Sequence, residues 1–310
     1  MRVAIIGAGM AGLSCAQKLR GAGIEPVLFD KGRGPGGRMA TRRAEVEGET
    51  LHFDHGTQFF SASNSAFVAQ VDSWQRAGVA DIWEAAGAHA FVGTPSMNAP
   101  LKAMAATSDV RWAQRVEVIR RVDNKWHLSG EGLDHTCDVV VCAIPVEQAA
   151  VLLTDAAPDF ARFAGAVDSD PCWAAMAVFS ETVELSDVTR GRDAVAWASR
   201  NSSKPGREGR ETWVIHGGER WSREHLEFSP EEVGTMLVDA FFAETGIAPC
   251  ETVHLTAHRW RYSTPQPGKT PASLWDAQTR LGVAGDWLIG PNVEGAWLSG
   301  QSVAAQITSA

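Results

Sequence analysis

Residues 2–30 read RVAIIGAGMAGLSCAQKLRGAGIEPVLFD, and this stretch decides the predicted fold. The apolar run over 2–6 predicts a short buried strand. A helix with an apolar face that includes Leu13 and Ala16 follows it, and PVLFD predicts a second buried strand ending at Asp30. A strand, a helix and a second strand within about 30 residues form a βαβ unit.

The glycines of this unit predict a ligand. Gly7, Gly9 and Gly12 form the pattern G-x-G-x-x-G directly after the first strand and at the start of the helix. The first glycine permits a tight turn, the second lets a pyrophosphate approach the backbone, and the third allows close helix–strand packing. The phosphate would lie on free N–H groups at the helix N-terminus, and Asp30 would accept from ribose hydroxyls. We predict a dinucleotide site rather than a purely structural glycine turn.

Two later segments favour FAD over NAD(P) as this dinucleotide. A second glycine-rich loop, GRGPGGRM, follows Asp30, and a late GDW (Gly285–Trp287) precedes another helix start. A ligand met by the first and last thirds of the chain must be long and extended. Asp286 would bind the ribityl or pyrophosphate region, unless GDW is an ordinary β-turn. The N-terminus of the VEGAWLSGQ helix could point at the flavin pyrimidine ring, where negative charge appears on reduction.

The loop from Asp30 to Arg43, DKGRGPGGRMATRR, is basic in a chain of formal net charge -9. That net charge argues against a nucleic-acid or anionic-membrane partner. We therefore expect the cofactor to be the anion, with Arg38 and one or two neighbours facing its pyrophosphate. Arg42 or Arg43 should lie nearer the flavin ring or in an internal ion pair. The five cations of the loop are Lys31, Arg33, Arg38, Arg42 and Arg43.

The composition of the chain is that of an ordinary globular protein. Its 310 residues can form one large domain or two. Five scattered cysteines without a C-x-x-C pair predict reduced thiols. The apolar stretch at the N-terminus is too short, and too interrupted by glycine, to be the apolar region of a signal peptide. No apolar run is long enough to span a membrane. We therefore expect no membrane partner and a cytoplasmic location.

The rest of the chain predicts two domains of an α/β protein. Consecutive strands after about residue 150, with one helix among them, predict a largely antiparallel sheet. Strands at the start, the middle and the end of the chain are predicted to form one Rossmann-type sheet. The predicted FAD-binding domain comprises 1–60, 106–148 and 265–310. The predicted substrate domain comprises 61–105 and 149–264.

These motifs resemble the flavin-containing amine oxidase superfamily, in which a dinucleotide fingerprint is followed by a G-G-R loop and a C-terminal G-D segment. More closely, the chain resembles the renalases, particularly their bacterial form, over nearly its whole length. The matching segments are FDKGRGPGGRMATRR, DHGTQFF, SRNSSKPGR, HRWRY and VEGAWLSGQ.

The resemblance implies a fold like that of p-hydroxybenzoate hydroxylase, with the FAD domain interleaved with a substrate domain. It also implies oxidation of 2- and 6-dihydro isomers of NAD(P)H to NAD(P)+. Hydride would pass to flavin N5, and O2 would reoxidise the flavin to give hydrogen peroxide. The partners are then a dihydronicotinamide dinucleotide and O2, and we expect a monomer or weak dimer.

The resemblance also supplies FAD contacts. Those carried over are Gly9, Gly12, Asp30, Lys31, Arg38, Met39, Gln58, Asp286, Glu294, Gly295 and Ala296. The predicted set is completed by Gly7, Gly37, Gly56, Thr57, Val116 and Gly285.

The chain departs from the family at one aromatic position. Phe59 stands where the family often has Tyr, so Tyr262 is the only phenol and leaves little room for the tyrosine cage of amine oxidases. Residues 263–310 contain no Cys, His or Tyr, so we expect FAD to be non-covalent, with attachment through His55 a remote alternative.

The predicted catalytic residues follow from hydride chemistry, which needs stacking and orientation more than acid–base groups. The strand TVHLTAHRWRY puts His258 and Trp260 on one face, and His258 could contact the nicotinamide carboxamide; the alternative is a half-buried structural histidine. Trp297 could flank the flavin, or it could simply pack the last helix. We expect no metal site, because no His/Cys cluster has metal-ligand spacing.

The polar segment SRNSSKPGR, 199–207, is predicted to border the mouth of the active site. Asn201 would reach the nicotinamide, and Arg200, Lys204 and Arg207 would meet the substrate pyrophosphate. A solvated surface loop is the alternative.

Two other functions stay open at this point. One is an oxidase or desaturase for an amine or another small apolar substrate. The other is a flavin-binding protein without turnover, acting as a sensor or a partner-binding module.

Overall fold

The computed structural model of the chain describes residues 1–207, 209–266, 268 and 270–309; residues 267, 269 and 310 of the predicted FAD-binding segment 265–310 lie outside the described residues. The strands are β1 (Val3–Ile6), β2 (Val27–Phe29), β3 (Arg42–Val46), β4 (Glu49–Phe53), β5 (Ala80–Ile82), β6 (Phe91–Gly93), β7 (Asp109–Arg111), β8 (Val118–Val122), β9 (Lys125–Gly130), β10 (Leu133–Cys137), β11 (Val139–Cys142), β12 (Ser169–Phe179), β13 (Val188–Thr189), β14 (Val195–Arg200), β15 (Trp213–Gly217), β16 (Thr252–Pro265), β17 (Leu274–Asp276) and β18 (Leu281–Val283). The helices are α1 (Met10–Gly21), α2 (Ser65–Arg76), α3 (Ala99–Ala106), α4 (Val146–Leu153), α5 (Pro158–Gly165), α6 (Glu219–Glu224), α7 (Pro230–Thr245), α8 (Asp286–Ile289) and α9 (Val293–Ser309).

Strands from the start, the middle and the end of the chain form the first sheet, in the order β17-β18-β11-β1-β2-β7. Neighbours from β18 to β7 are parallel, and β17 is antiparallel at one edge. The central strand β1 is fully buried, because helices or strands cover both faces of the sheet. The Rossmann-type α/β fold predicted from the opening βαβ unit is confirmed.

The two faces of this sheet have separate cores. On one face α1 and α9 pack together, with Leu13 and Val303 fully buried. The other face is covered by α4, α5 and the small sheet β10-β9-β8, which buries Trp126. The hairpin between β8 and β9 turns at Asp123 and Asn124, which both have positive φ.

The second large sheet is antiparallel throughout, in the order β13-β14-β15-β12-β16, as predicted. One face packs on α7 through buried residues such as Trp173, Trp213 and Phe241. Strand alternation turns Val214 and His216 to the opposite face. That face meets the β3–β4 hairpin and the cavity described below.

The predicted domain boundaries stay predictions. Within 61–105, assigned from the sequence to the substrate domain, Phe67 and Trp74 of α2 share a core with α1 and α9. Among the helices that the structure describes, none is both long and apolar enough to cross a membrane.

Candidate active site

The glycine turn between β1 and α1 has the geometry of a phosphate-binding turn. Gly7 has φ +102°, where glycine is favoured, and a Cβ there would lie 2.3 Å from the carbonyl oxygen of Ala143. A Cβ on Gly12 would lie 2.0 Å from the carbonyl oxygen of Gly7, so this glycine lets α1 pack closely on the turn. A Cβ on Gly9 would meet no atom within 4 Å. An anion can therefore approach the backbone at Gly9 and the N-terminus of α1.

The open space at Gly9 belongs to a cavity of about 1220 Å³. It lies at the carboxyl ends of the parallel strands, because the residues that follow β1, β2, β11 and β18 all line it. Its volume exceeds the roughly 300–1,000 Å³ of small-molecule pockets, which leaves room for a long ligand and a second molecule. The predicted cofactor contacts that line it are Gly7, Gly9, Asp30, Lys31, Gly37, Arg38, Met39, Gly56, Thr57, Gln58, Val116, Gly285, Asp286 and Ala296.

Glu294 and Gly295 lie beside this lining rather than in it. The Oε1 atom of Glu294 accepts from the backbone N–H groups of Ser63 and Asn64 at 2.9 and 2.6 Å. Burial alone would raise the pKa of Glu294, but these N–H groups lower it, so the carboxylate is ionised and ties α9 to the start of α2. A Cβ on Gly295 would lie 2.4 Å from a backbone oxygen of the turn before α9. Both residues thus position α9, whose first turn reaches the cavity at Ala296.

The carboxylate of Asp30 is held by two backbone groups at the end of β2. Its Oδ2 accepts from the N–H of Ala8 and its Oδ1 from the N–H of Gly32, both at 2.7 Å. The neighbouring Lys31 donates to Oε1 of Gln148 at 2.9 Å. Asp30 is therefore oriented at the cavity edge with lone pairs left for a hydroxyl ligand.

Arg38 joins the basic loop to the late GDW turn. Its Nη2 lies 2.6 Å from Oδ1 of Asp286, and its Nη1 donates to the carbonyl oxygen of Ser263 at 2.9 Å. A Cβ on Gly56 would lie 2.0 Å from the carbonyl oxygen of Arg38, so Gly56 permits this close approach. The structure brings together two residues predicted to bind one cofactor. The remaining cations of the loop are exposed: Lys31, Arg33, Arg42 and Arg43.

Among the rings that the second sheet and the segment after β4 contribute to the lining, we call Phe59, Trp197, His216 and Trp260 the aromatic wall. The rings of Phe59 and Trp197 lie 5.6 Å apart, and Trp197 pairs across the strands with His216. Nε1 of Trp260 and Nε2 of His216 both donate to the carbonyl oxygen of His55, at 2.9 and 3.2 Å. One carbonyl thus fixes two rings of the wall.

The imidazoles behind and within the wall are neutral at physiological pH. Burial lowers the pKa of His216 to about 4, an effect that the charge of Lys204 reinforces. Burial also lowers the pKa of His55 to about 3, helped by His258 and Arg42. The wall therefore presents uncharged, planar groups to the cavity.

Neither predicted catalytic ring is part of the cavity lining. His258 packs against His55 and Trp260, with ring centres 4.8 and 4.4 Å apart, and burial lowers its pKa. Of the two residues predicted to share one face of β16, Trp260 rather than His258 reaches the cavity. Trp297 is buried in the core of α9, 5.5 Å from the ring of Phe67. Trp297 therefore packs the last helix, which is the alternative to its predicted place beside the flavin.

The segment 199–207 turns its polar groups inward. The amide of Asn201 is buried, donates to the carbonyl oxygen of His52 at 2.9 Å and accepts from the N–H of Asp54 at 3.2 Å. Because both ends of this amide are engaged with backbone, we do not carry forward the predicted contact of Asn201 with a nicotinamide. Arg200 forms ion pairs with Asp187 and Glu211.

Lys204 and Arg207 are also turned inward, toward the fully buried Asp54, and we call these three residues the Asp54 cluster. Oδ2 of Asp54 lies 2.6 Å from Nη2 of Arg207 and 3.5 Å from Nζ of Lys204. Burial lowers the pKa of Lys204 to about 8, and its ammonium also donates to Oε1 of Gln58 at 3.0 Å. The two cations neutralise a carboxylate behind the cavity, so the structure does not bring them to a substrate phosphate.

The mouth of the cavity carries charges of both signs. Asp170 and Glu219 line it, and Asp170 raises the pKa of Glu219 by hydrogen bonding and by its charge. Arg261 also lines the mouth and forms a two-pronged ion pair with Glu227, at 2.7 and 3.0 Å. Because Glu227 is largely exposed, this pair contributes little, and Arg261 can exchange it for an anionic ligand.

Sequence reasoning missed the aromatic wall as a unit. Neither His216 nor Trp197 is among the residues predicted from the sequence to form the site. The alternation within TWVIHG carried a usable signal, since Trp213 and Ile215 face α7 while His216 faces the other way. The pairing of β14 with β15, which sets Trp197 beside His216, is a non-local contact that no local pattern predicts.

The residues present fit a dinucleotide. An open glycine cradle, an oriented carboxylate, an Arg–Asp pair and the aromatic wall all line the same cavity. Such an arrangement can bind an extended cofactor and stack a planar second ligand.

Two family models match the chain. The model described as NAD(P)-binding Rossmann-like domain matches residues 5–71, which contain the glycine turn and Asp30. The model described as flavin containing amine oxidoreductase matches residues 75–308, well over half of the chain.

Solved structures share the fold over almost the full length. A putative protoporphyrinogen oxidase from Exiguobacterium sp. 255-15 is similar with a TM-score of 0.77 and 11% identity, covering 99% of this chain and 98% of that one. A CLA-producing fatty acid isomerase from P. acnes has a TM-score of 0.73 and 13% identity, covering 98% of each chain. Cyclohexylamine oxidase from Brevibacterium oxydans IH-35A has a TM-score of 0.70 and 12% identity, covering 99% and 98%. At these identities the likeness concerns the fold alone, whereas the family match rests on the sequence itself: the chain belongs to the flavin containing amine oxidoreductases.

Proposed function

We propose that this flavoprotein is an FAD-dependent oxidase of 2- and 6-dihydro isomers of NAD(P)H, which it converts to NAD(P)+ while O2 becomes hydrogen peroxide. The observation that carries the proposal is the aromatic wall, a set of neutral, planar groups in the same cavity as the dinucleotide cradle. A dihydronicotinamide ring is itself neutral and planar, so it matches this surface without an unpaired charge.

FAD with non-covalent attachment is the cofactor that the lining supports. The glycine cradle and Asp30 suit the adenosine diphosphate portion, and Arg38 with Asp286 suits the pyrophosphate and ribityl region. The thiol of Cys172 lines the cavity, but burial raises its pKa to about 12, which keeps it a protonated, poor nucleophile. The proposed substrate is inferred from the resemblance of three segments to those of renalases: SRNSSKPGR, HRWRY and VEGAWLSGQ.

The proposed reaction balances as dihydro-NAD(P) plus O2 plus one proton, giving NAD(P)+ and hydrogen peroxide. FAD held by the glycine cradle, Asp30, Arg38 and Asp286 would supply the two-electron chemistry between the substrate and O2. In this proposal the aromatic wall holds the substrate ring flat, and Phe59 helps to exclude water. No side chain needs to remove a proton from the substrate, which agrees with a wall whose histidine, with its pKa lowered to about 4, is a weak base.

An amine oxidase or desaturase is the second candidate, and one observation favours it. Asp170 and Glu219 at the mouth could attract a cationic substrate. Asp170, however, already pairs with Arg223 and accepts from Gln266, so part of that negative charge is neutralised.

Anaerobic reduction of the purified protein tests the proposal. Acid precipitation should first release the yellow chromophore, and chromatography should identify it as FAD. The intact holoprotein, mixed without oxygen with borohydride-reduced NAD isomers, should then lose its flavin absorbance near 450 nm and recover it in air. One mole of hydrogen peroxide should form per mole of dinucleotide oxidised.

The same experiment separates the candidates. Bleaching by cyclohexylamine or putrescine and not by the dinucleotides would overturn the proposal in favour of an amine oxidase. Reduction by dithionite alone would favour a flavin-binding protein without turnover. A chromophore that stays with the precipitate would contradict non-covalent attachment.

Arg261→Ala should weaken the use of a dinucleotide substrate. The partner of Arg261, Glu227, is largely exposed, and an exposed pair contributes little, so Arg261 can turn to a substrate pyrophosphate. We expect the KM for the dihydro-dinucleotide to rise about 3- to 10-fold at low salt with kcat nearly unchanged, and the difference to shrink as salt is added. Steady-state peroxide production measures both constants.

Arg220 supplies the matched control. It forms an exposed ion pair with Asp193 outside the cavity lining, so Arg220→Ala should leave the KM as it is. An Arg261→Ala enzyme with the wild-type KM at low salt would show that the mouth does not bind the pyrophosphate through this residue.

A further inference from the structure

The hydrogen bonds around His216 determine which of its ring nitrogens can meet a ligand. Nε2 lies 3.2 Å from the carbonyl oxygen of His55, which can only accept, so Nε2 carries the proton. The Nε2 group of Gln58 is 3.4 Å away, and its two hydrogens are directed to the carbonyl oxygens of Asp54 and Gly56. The Gln58 amide is therefore a neighbour of this nitrogen and not its donor.

This arrangement leaves an acceptor on the other side of the ring. A neutral imidazole with a protonated Nε2 has its lone pair on Nδ1. Burial lowers the pKa of His216 to about 4, so the ring does not gain a second proton near neutral pH. His216 lines the cavity, where Nδ1 is the ring nitrogen still able to accept a hydrogen bond.

The neighbours of His216 set how a ligand would meet that acceptor. Trp197 is its cross-strand partner on β14, and Trp260 shares with it the carbonyl oxygen of His55. Both indoles line the cavity, and a planar ring stacked on Trp197, the cross-strand neighbour of His216, can present its edge to His216. The substituent at that edge needs an N–H donor.

We infer that Nδ1 of His216 accepts a hydrogen bond from the carboxamide N–H of the nicotinamide ring and so makes the enzyme select carboxamide-bearing dinucleotides. The inference rests on the proposed function and names the group that this function would recognise. A site built to pair with an N–H rejects a ligand that lacks it, because the buried acceptor is then left unpaired.

A pair of dinucleotides that differ only at this substituent tests the inference. NAD+ has the carboxamide, and its 3-acetylpyridine analogue has a methyl ketone of nearly the same shape without an N–H. Calorimetric titration of the oxidised holoprotein should give wild-type affinity about tenfold higher for NAD+ than for the analogue. His216→Ala should bind the two with affinities within twofold of each other.

Two further variants make the result specific. His216→Phe keeps a ring and lacks an acceptor, so it should show the same loss of preference even if the alanine variant folds poorly. His258→Ala removes a histidine of the neighbouring strand outside the cavity lining, and it should keep the tenfold preference.

The outcomes distinguish this inference from the proposed function. Wild-type protein that binds both dinucleotides equally, or His216→Phe that keeps the preference, would overturn the role of His216 and leave the proposed function standing. Loss of the preference in His258→Ala alone would assign the carboxamide to His258 instead. Wild-type protein that binds neither dinucleotide would overturn the proposed function itself.

Discussion

Gly9→Ala should yield a protein that folds and does not retain its flavin. The backbone of Gly9 has φ -78° and ψ -172°, which alanine adopts without strain, and a Cβ there meets no atom within 4 Å. The folded apoprotein should therefore keep its unfolding temperature within about 2 °C, since a surface methyl group changes stability little. The added methyl instead fills the space through which a phosphate reaches the N-terminus of α1.

The expected loss of flavin affinity is about 100-fold or more, which corresponds to one or two charge-assisted hydrogen bonds from backbone N–H groups. Two measurements check it. The ratio of flavin to protein absorbance after gel filtration should fall close to zero, and fluorescence titration of apoprotein with FAD should give the changed dissociation constant.

Two other glycines of the same helix serve as controls. Gly21 also has no atom within 4 Å of an added Cβ, but it lies at the far end of α1, so Gly21→Ala should keep its flavin. Gly12→Ala should misfold, because its Cβ would lie 2.0 Å from the carbonyl oxygen of Gly7. Gly9→Ala protein with stoichiometric flavin and an unchanged dissociation constant would refute the assignment of this turn to the phosphate.

The contrast among these glycines shows why the cofactor side of the site was predictable. The strand, the glycine spacing and Asp30 lie within 30 consecutive residues, and each has a local physical requirement that the structure meets. The antiparallel sheet was predictable for a similar reason, because alternation within each strand is a local property.

The substrate side depends on contacts between distant residues. From the sequence, Lys204 and Arg207 are predicted to face solvent or a ligand, because charged side chains are seldom fully buried. Their burial depends on Asp54, about 150 residues earlier, and a carboxylate in DHGTQFF gave no sign of that pairing. His216 became part of the wall only through strand pairing and the carbonyl oxygen of His55.

The Asp54 cluster itself should be costly to break. Asp54→Asn should lower the unfolding temperature by roughly 10 °C, because the buried charges of Lys204 and Arg207 would face a neutral amide. Asparagine has almost the same shape as aspartate, and its oxygen can still accept from Oγ1 of Thr41 and the N–H of Met97. Lost packing therefore does not explain the effect, which belongs to the unpaired cations.

The pH dependence of this loss identifies its electrostatic origin. Burial alone would raise the pKa of Asp54, but the charges of Lys204 and Arg207 outweigh it and hold the pKa below its ordinary value of 3.8. A carboxyl whose folded pKa is lowered stabilises the protein fully above the unfolded pKa and loses that effect as pH falls through the folded pKa. Thermal unfolding of wild type and Asp54→Asn should thus differ most above about pH 5 and converge in acid.

Asp193→Asn, which breaks the exposed pair with Arg220, should change the unfolding temperature by no more than about 2 °C at any of these pH values. An Asp54→Asn protein as stable as wild type at pH 7 would mean that the two cations find other partners, and the cluster would then not hold 199–207 against the rest of the fold.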